Sequence, residues 1–150
     1  MPATTEDLLA QLDAGVDLTD ADAARAELER RYPSDGPAAT ALREALVAAA
    51  DDGVICDRVN GDVRFSRLCK PDATAHDLSV DFVWMTGPGV NHRHPKGEVN
   101  LCFAMDGEPR FDGQPAGWVV FAPDTTHVPT VTDGHMLIVY FLPSGQVEWV

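Results

Sequence analysis

The stretch Asn91-His92-Arg93-His94-Pro95-Lys96-Gly97-Glu98 decides how the rest of the chain is read. Side chains alternate across an extended segment, so His92 and His94 lie on one face of it. Glu98 follows four residues after His94, and Pro95 and Gly97 between them bend the backbone and turn the carboxylate inward. Downstream, His127 closes the turn-rich run Phe121-Ala122-Pro123-Asp124-Thr125-Thr126-His127. Three imidazoles and a carboxylate form a good ligand set for a divalent transition metal: zinc, iron, manganese, nickel or cobalt. The expected ligands are His92, His94, Glu98 and His127; without a metal, Glu98 and a histidine are an acid–base pair.

Working outward, the chain from Val54 onward is a series of short β-runs separated by turn residues. They cover 63–70, 78–85, 98–105, 117–121 and 135–142, the punctuation of a sandwich or barrel. If Glu98 points inward, Asn100, Cys102 and Ala104 share its face while Val99, Leu101 and Phe103 face away. Asn100 and Cys102 then make a polar pocket in apolar walls. His76 and His135 lie in polar or turn-rich surroundings and read as surface residues.

Residues 1–53 read as helices. One starts at Thr4 or Thr5 and ends before Gly15, a second opens at Thr19-Asp20-Ala21-Asp22 and runs to about Tyr32, and a third starts at Pro37 and ends near Asp51-Asp52-Gly53. Hydroxyl and acidic caps suit the starts, and Arg30 and Arg31 suit the end of the second. These helices lack His and Cys, so their expected work is to cover the β-domain of residues 54–150 or to build a homodimer interface.

At 150 residues and 45% hydrophobic content the whole is expected to be one domain around a single core. A formal charge of −13 argues against nucleic acid and anionic membrane as partners. No apolar run approaches the roughly 20 residues of a bilayer span, and the start has neither the basic nor the apolar segment of a signal peptide. Cys56, Cys69 and Cys102 are scattered without a CxxC pair, which fits free thiols in a reducing, cytoplasmic setting.

The β-half resembles a cupin, a small jelly-roll barrel. Gly87 or Gly89, His92-Arg93-His94, Glu98 and Gly107 stand where the first cupin motif has its residues, and Gly117, Pro123 and His127 stand for the second. There are departures. The gap from Glu98 to Gly107 is long, Pro123 to His127 is one residue short with Thr125 where glycine is common, and Val131 replaces a frequent asparagine. The expected fold is therefore mainly β, a cupin-type jelly-roll barrel with an N-terminal helical extension.

A closer resemblance covers most of the chain. Arg67-Leu68-Cys69-Lys70-Pro71, His92 through Glu98, Arg110-Phe111-Asp112-Gly113, Gly117-Trp118, Pro129-Thr130-Val131 and Tyr140-Phe141-Leu142-Pro143-Ser144-Gly145 are similar to the 4-hydroxylaminobenzoate lyase family of nitrobenzoate breakdown. The resemblance implies conversion of 4-hydroxylaminobenzoate and water to 3,4-dihydroxybenzoate and ammonia, which needs neither nicotinamide nor flavin. Glu98, His92 and His94 are then the expected catalytic residues. Arg67, Lys70, Arg93, Lys96 and Arg110 are candidate partners for the substrate carboxylate, with Asn100 and Cys102 in the pocket. Trp84, Trp118 and Phe82 are candidates to stack on the ring. Two other readings stay open: a metal-dependent cupin oxygenase on another small molecule, and a non-enzymatic cupin that binds a small acid.

Overall fold

The computed structural model describes residues 18–60, 63–69, 78–89, 91–143 and 148–149, with 60, 67–69, 78, 79, 143 and 149 in backbone only. The helix expected in the first 14 residues lies outside them. Helix α1 spans Ala21–Arg31 and α2 spans Pro37–Asp51. The cap of α1 is Asp20 rather than the hydroxyl of Thr19: its carboxylate accepts from Ala23 N at 3.1 Å. Pro33 stops this helix one residue past its Tyr32 cap, and Pro37 opens the next at the position where a missing N–H costs nothing.

The strands are β1 (Arg58–Asn60), β2 (Val63–Cys69), β3 (Leu78–Pro88), β4 (His92–His94), β5 (Glu98–Phe111), β6 (Gln114–Pro115), β7 (Gly117–Phe121), β8 (Thr125–His127), β9 (Thr130–Pro143) and β10 (Glu148–Trp149). They form two sheets. The larger runs β1-β2-β3-β9-β5-β6 with β7 also on β5, and the smaller runs β10-β4-β8. All the pairings are antiparallel. The chain is thus mainly β, a cupin-type barrel with helices at its N-terminal side.

The long strands differ from expectation at two points. Asp106-Gly107 and Asp133-Gly134 read as turns that end strands, yet β5 and β9 run through both, opposite one another. The extra residues are absorbed as shifts of register, so the punctuation marks bulges in the longest ladder rather than its end. The long gap from Glu98 to Gly107 has the same cause.

Period-two alternation sorts the larger sheet into two cores. Val80, Phe82, Val99, Leu101, Phe103, Trp118, Val120, Leu137, Val139 and Phe141 pack outward with Ala24, Leu28, Ala39, Leu42, Leu46 and Ala50 of the helices. Met85, Cys102, Phe111, Val119, Val131, Met136, Ile138 and Tyr140 make the second cluster, inside the barrel. Trp118, fully buried, ties the helices to the sheet: its Nε1 donates to the Tyr32 carbonyl at 2.8 Å, and its backbone N–H donates to Glu29 at 3.3 Å. Glu29 also accepts from the Ser34 N–H at 3.0 Å, so one carboxylate orients the α1–α2 connection over β7.

Replacing Trp118 should separate these contributions. Trp118→Phe removes the indole N–H and leaves the Tyr32 carbonyl without its donor, a loss of about 1–3 kcal/mol. Trp118→Ala adds a cavity and should lose about 3–5 kcal/mol. Urea unfolding of the two variants checks the order and the gap.

Candidate metal centre

The four residues singled out in the sequence meet at one point, and they come from both sheets. His92 and His94 lie on β4, His127 lies opposite His92 on β8, and Glu98 opens β5 in the larger sheet. The turn between β4 and β5 makes this possible. Gly97 sits at φ +88°, and a Cβ there would stand 2.9 Å from the Phe121 carbonyl, so glycine alone is relaxed at the bend that aims Glu98 inward. Gly97 N and Asp124 N both donate to the His94 carbonyl, at 3.2 and 3.0 Å, which locks this turn to the one before β8.

His92, His94 and Glu98 are 5%, 0% and 1% exposed, and one ligand atom from each of the four residues falls within 4.8 Å of all the others. Glu98 Oε2 stands 3.4 Å from both His94 Nε2 and His127 Nε2, and Glu98 Oε1 stands 3.6 Å from His92 Nε2. His94 Nε2, His127 Nε2 and Glu98 Oε2 are buried and have no hydrogen-bond partner. An unsatisfied buried polar atom costs about 1–3 kcal/mol. Three of them converging on one point is the arrangement a bound cation removes, so this residue set fits a divalent metal.

The outer nitrogens fix which way the lone pairs face. The Thr125 hydroxyl donates to the Ala122 carbonyl at 2.7 Å. Its oxygen, 2.7 Å from His94 Nδ1, therefore accepts the Nδ1 proton and leaves Nε2 bare toward the centre. His127 Nδ1 meets Asp112 Oδ2, which likewise takes the Nδ1 proton and aims Nε2 inward. Asp112 is itself held by the Thr130 N–H on its other oxygen at 2.9 Å. Asp112 and Gly113 form a two-residue β5–β6 hairpin loop with φ +48° and +82°, as a type I′ turn requires. In the sequence Asp112 belongs to the Arg110–Gly113 stretch of the family resemblance and to an Asp-Gly turn signal, and neither points to His127. Thr125, a departure from the cupin pattern, is explained by the same geometry, because its side chain orients His94.

Burial pushes His94 down to about 4, against the pull of Glu98. Burial would raise Glu98 too, but the opposing pull of His127 and His92 outweighs it and brings the carboxyl to about 2. For His127, burial is overcome by Asp112 and Glu98, and the imidazolium persists to about 9. In the metal-free chain one proton, on His127, therefore sits between two carboxylates.

The other sequence candidates fall in different places. Asn100 and Cys102 share the Glu98 face, as alternation requires; Cys102 is 1% exposed, and burial, with Glu98 and Asp112 nearby, holds its thiol protonated. Arg93 faces away from the cluster and pairs with Asp124 and Glu148, tying β4 to β10 and to the turn before β8. Lys96 is exposed in the Gly97 turn, and exposed Arg110 donates to the Gly113 carbonyl at 3.2 Å. Trp84 is on the helix side of β3, with the Arg64 guanidinium 5.4 Å above its ring; Trp118 and Phe82 also face the helices, away from the cluster. Arg67 is in β2, described in backbone only, while Lys70 and His76 lie outside the described residues. His135 pairs with Asp106 at the surface at 2.9 Å. The rings beside the site are Phe121, whose centroid is 5.5 Å from His94 and 4.3 Å from His127, and Phe111, 6.1 Å from His127. Neither is among the stacking candidates Trp84, Trp118 and Phe82 that the sequence offers.

Two measurements follow. Metal-free protein should be most stable near pH 6.5. Acid costs stability as the unfolded chain protonates His94 between 6.5 and about 4, and the contribution of His127, complete below 6.5, is lost as pH rises through about 9. A divalent ion that displaces the His127 proton should abolish the alkaline loss, which thermal unfolding with and without chelator across pH will show. Asp112→Asn should weaken metal binding about 10–100-fold by releasing the orientation of His127, read by competition titration.

Residues 4–149 match the model of the family described as PnbB, 4-hydroxylaminobenzoate lyase. A 4-hydroxylaminobenzoate lyase of Pseudomonas putida is 32% identical over 110 residues, 62% of this chain and 62% of the relative. One from Nocardioides sp. (strain LMS-CY) is 28% identical over 94 residues, 57% of this chain and 56% of the relative. The chain thus spans less than two thirds of the length of the curated relatives it matches. A cupin-like protein from Thermotoga maritima is similar in structure, with a TM-score of 0.46 and 19% identity over 61% of this chain and 77% of that one. With the family model matched from residue 4 to residue 149, the chain belongs to the 4-hydroxylaminobenzoate lyase family.

Proposed function

We propose that the protein is a metal-dependent lyase that converts 4-hydroxylaminobenzoate, or a similar hydroxylamino-aromatic acid, and water to 3,4-dihydroxybenzoate and ammonia. The observation that carries the reading is the buried His92–His94–Glu98–His127 cluster, walled by Phe111 and Phe121, in a chain of this family. The reaction is redox-neutral: nitrogen is reduced to ammonia while the ring carbon beside it is oxidised. The N–O bond breaks with its electron pair on oxygen, and the hydroxyl leaves as water after taking a proton. One water adds to the adjacent ring carbon, a second hydrolyses the ring C=N bond and releases ammonia, and loss of the ring-carbon proton restores aromaticity. Net, one water is consumed.

The site residues suit those demands. His92, His94, Glu98 and His127 would hold a divalent ion, which supplies Lewis acidity toward a leaving or attacking oxygen. His92 and His94 keep their Nε2 atoms within reach of Glu98, and Glu98, ionised down to about pH 2, accepts a proton from the adding water. Phe111 and Phe121 exclude bulk water and offer faces to the ring. For the substrate carboxylate, Arg67 is favoured over Arg93, which already serves two carboxylates. Its backbone position continues the register row Asn100–Tyr140–Asp81–Arg67 across the sheet, about 14 Å from Asn100 by three strand spacings. Lys70 and Lys96 are the alternatives, with Cys102 as pocket wall. The enzyme is taken to work in the cytoplasm as a homodimer; among the described residues, no helix is long and apolar enough to cross a membrane.

Metal-replete protein incubated with 4-hydroxylaminobenzoate should release ammonia and 3,4-dihydroxybenzoate in equal amounts, at the same rate without oxygen. His92→Ala and Glu98→Gln should each lower kcat/KM by at least about 10²-fold. Product formation no faster than in these variants would sink the proposal, and dependence on oxygen would favour an oxygenase.

A further inference from the structure

Among the described residues, the inner face of the larger sheet is apolar apart from Glu98 and a row of polar side chains that crosses it. Asn100 on β5 pairs in register with Tyr140 on β9, and Tyr140 pairs with Asp81 on β3. The neighbours on this face are Cys102, Ile138, Met136, Met85 and Val131, all buried. Asn100 is two residues from Glu98 on the same strand face, and so belongs to the wall beside the His–Glu cluster.

Asn100 is half satisfied. Its side chain is 0% exposed, and Nδ2 donates to the Val119 carbonyl across the β5–β7 ladder at 3.4 Å. That contact fixes the amide's orientation and leaves Oδ1, buried, without any donor. A strand-forming apolar residue would fill the same place without the cost of an orphaned carbonyl, so the position is tuned for a hydrogen-bond donor that the chain does not supply. Across from it, Tyr140 is 7% exposed, with its ring 6.2 Å from Phe111 in an edge contact. Burial, and after it the charge of Glu98, keep the phenol protonated, so it serves as a donor.

We propose that Asn100 and Tyr140 recognise the nitrogen end of the substrate, Asn100 Oδ1 accepting from the N–H on the ring and the Tyr140 hydroxyl donating to the oxygen carried by that nitrogen. This inference rests on the reading of the site as one for hydroxylamino-aromatic acids, and adds why such an acid is chosen over its alkyl counterparts. A buried acceptor left unpaired discriminates strongly against a ligand that lacks the matching donor. Both are positioning residues: with its proton so firmly held, Tyr140 orients the oxygen rather than protonating it.

The test is calorimetric titration of metal-replete wild type, Asn100→Val and Tyr140→Phe with substituted benzoates. Wild type should bind 4-aminobenzoate about tenfold more tightly than the isosteric 4-methylbenzoate, which carries no N–H. Asn100→Val should erase that preference with metal content unchanged. Tyr140→Phe should keep it and lose about tenfold on 4-nitrobenzoate, whose oxygens stand in for the substrate oxygen. No preference in wild type, or an equal preference in Asn100→Val, overturns the role of Asn100; unchanged 4-nitrobenzoate binding overturns that of Tyr140. The wild-type series decides the matter alone if Asn100→Val does not fold. Preference for the N–H ligand without turnover of 4-hydroxylaminobenzoate would retain this pairing and remove the lyase reading, while turnover without preference would do the reverse.

Discussion

Glu98 places a negative charge where water barely reaches it, and the architecture around it follows from that constraint. A carboxylate that is 1% exposed persists only with positive or hydrogen-bonding partners on every side. Among the described residues, the larger sheet contributes none of them. They come from β4 and β8 of the smaller sheet, so the charge is compensated only when the two sheets close on each other. The smaller sheet has three short strands and little core of its own, and it is held by that closure and by the Arg93 bridge from β4 to β10 and to the turn before β8. The candidate site is therefore part of what holds the barrel together.

The two faces of the larger sheet divide the labour. One is covered by α1 and α2 over an apolar layer, fastened by Trp118 and Glu29. The other carries Glu98, Asn100 and Tyr140 among Met, Val and Ile side chains. Because β5 serves both faces in alternation, Val99, Leu101 and Phe103 anchor the helices with the same backbone that aims Glu98 and Asn100 inward. Helical packing thus sets the register of the inner face, and α1 and α2 bring no group to the cluster although the strand that carries Glu98 is packed against them.

Much of this was legible in the sequence because it depends on local periodicity. The His-x-His spacing, the Gly97 bend and the alternation after Glu98 each concern residues a few positions apart, where backbone geometry leaves little choice. His127 was also legible, since its turn-rich surroundings announced a second approach to the same place. The missing parts are those made by register between distant strands. Asp112 reaches His127 across 15 residues and Thr125 reaches His94 across 31, and nothing short-range distinguishes either from an ordinary turn residue. Tyr140 looked like one more apolar position of the last strand until its pairing with Asn100 put it opposite an unsatisfied carbonyl. The stacking candidates Trp84, Trp118 and Phe82 failed on parity: each occupies a strand position whose side chain faces the helices. Phe111 and Phe121, which stand beside the histidines, carry no short-range sign of that placement.

Charge balance explains why the cluster and the polar row are kept apart. Glu98 and Asp112 bring two negative charges to a nearly dry site, and a single proton on His127 offsets only one of them. A divalent ion with all three imidazoles neutral brings the sum to zero, so the pocket suits a doubly charged cation better than a proton. The groups next to the cluster on the inner face, Asn100 and Tyr140, are a primary amide and a phenol, which leave that balance undisturbed; the carboxylate of the polar row, Asp81, lies one strand beyond Tyr140. On the proposed reading, the cation that meets the substrate carboxylate stands farther along the sheet than Tyr140 and Asp81, where the strand register places the backbone of Arg67.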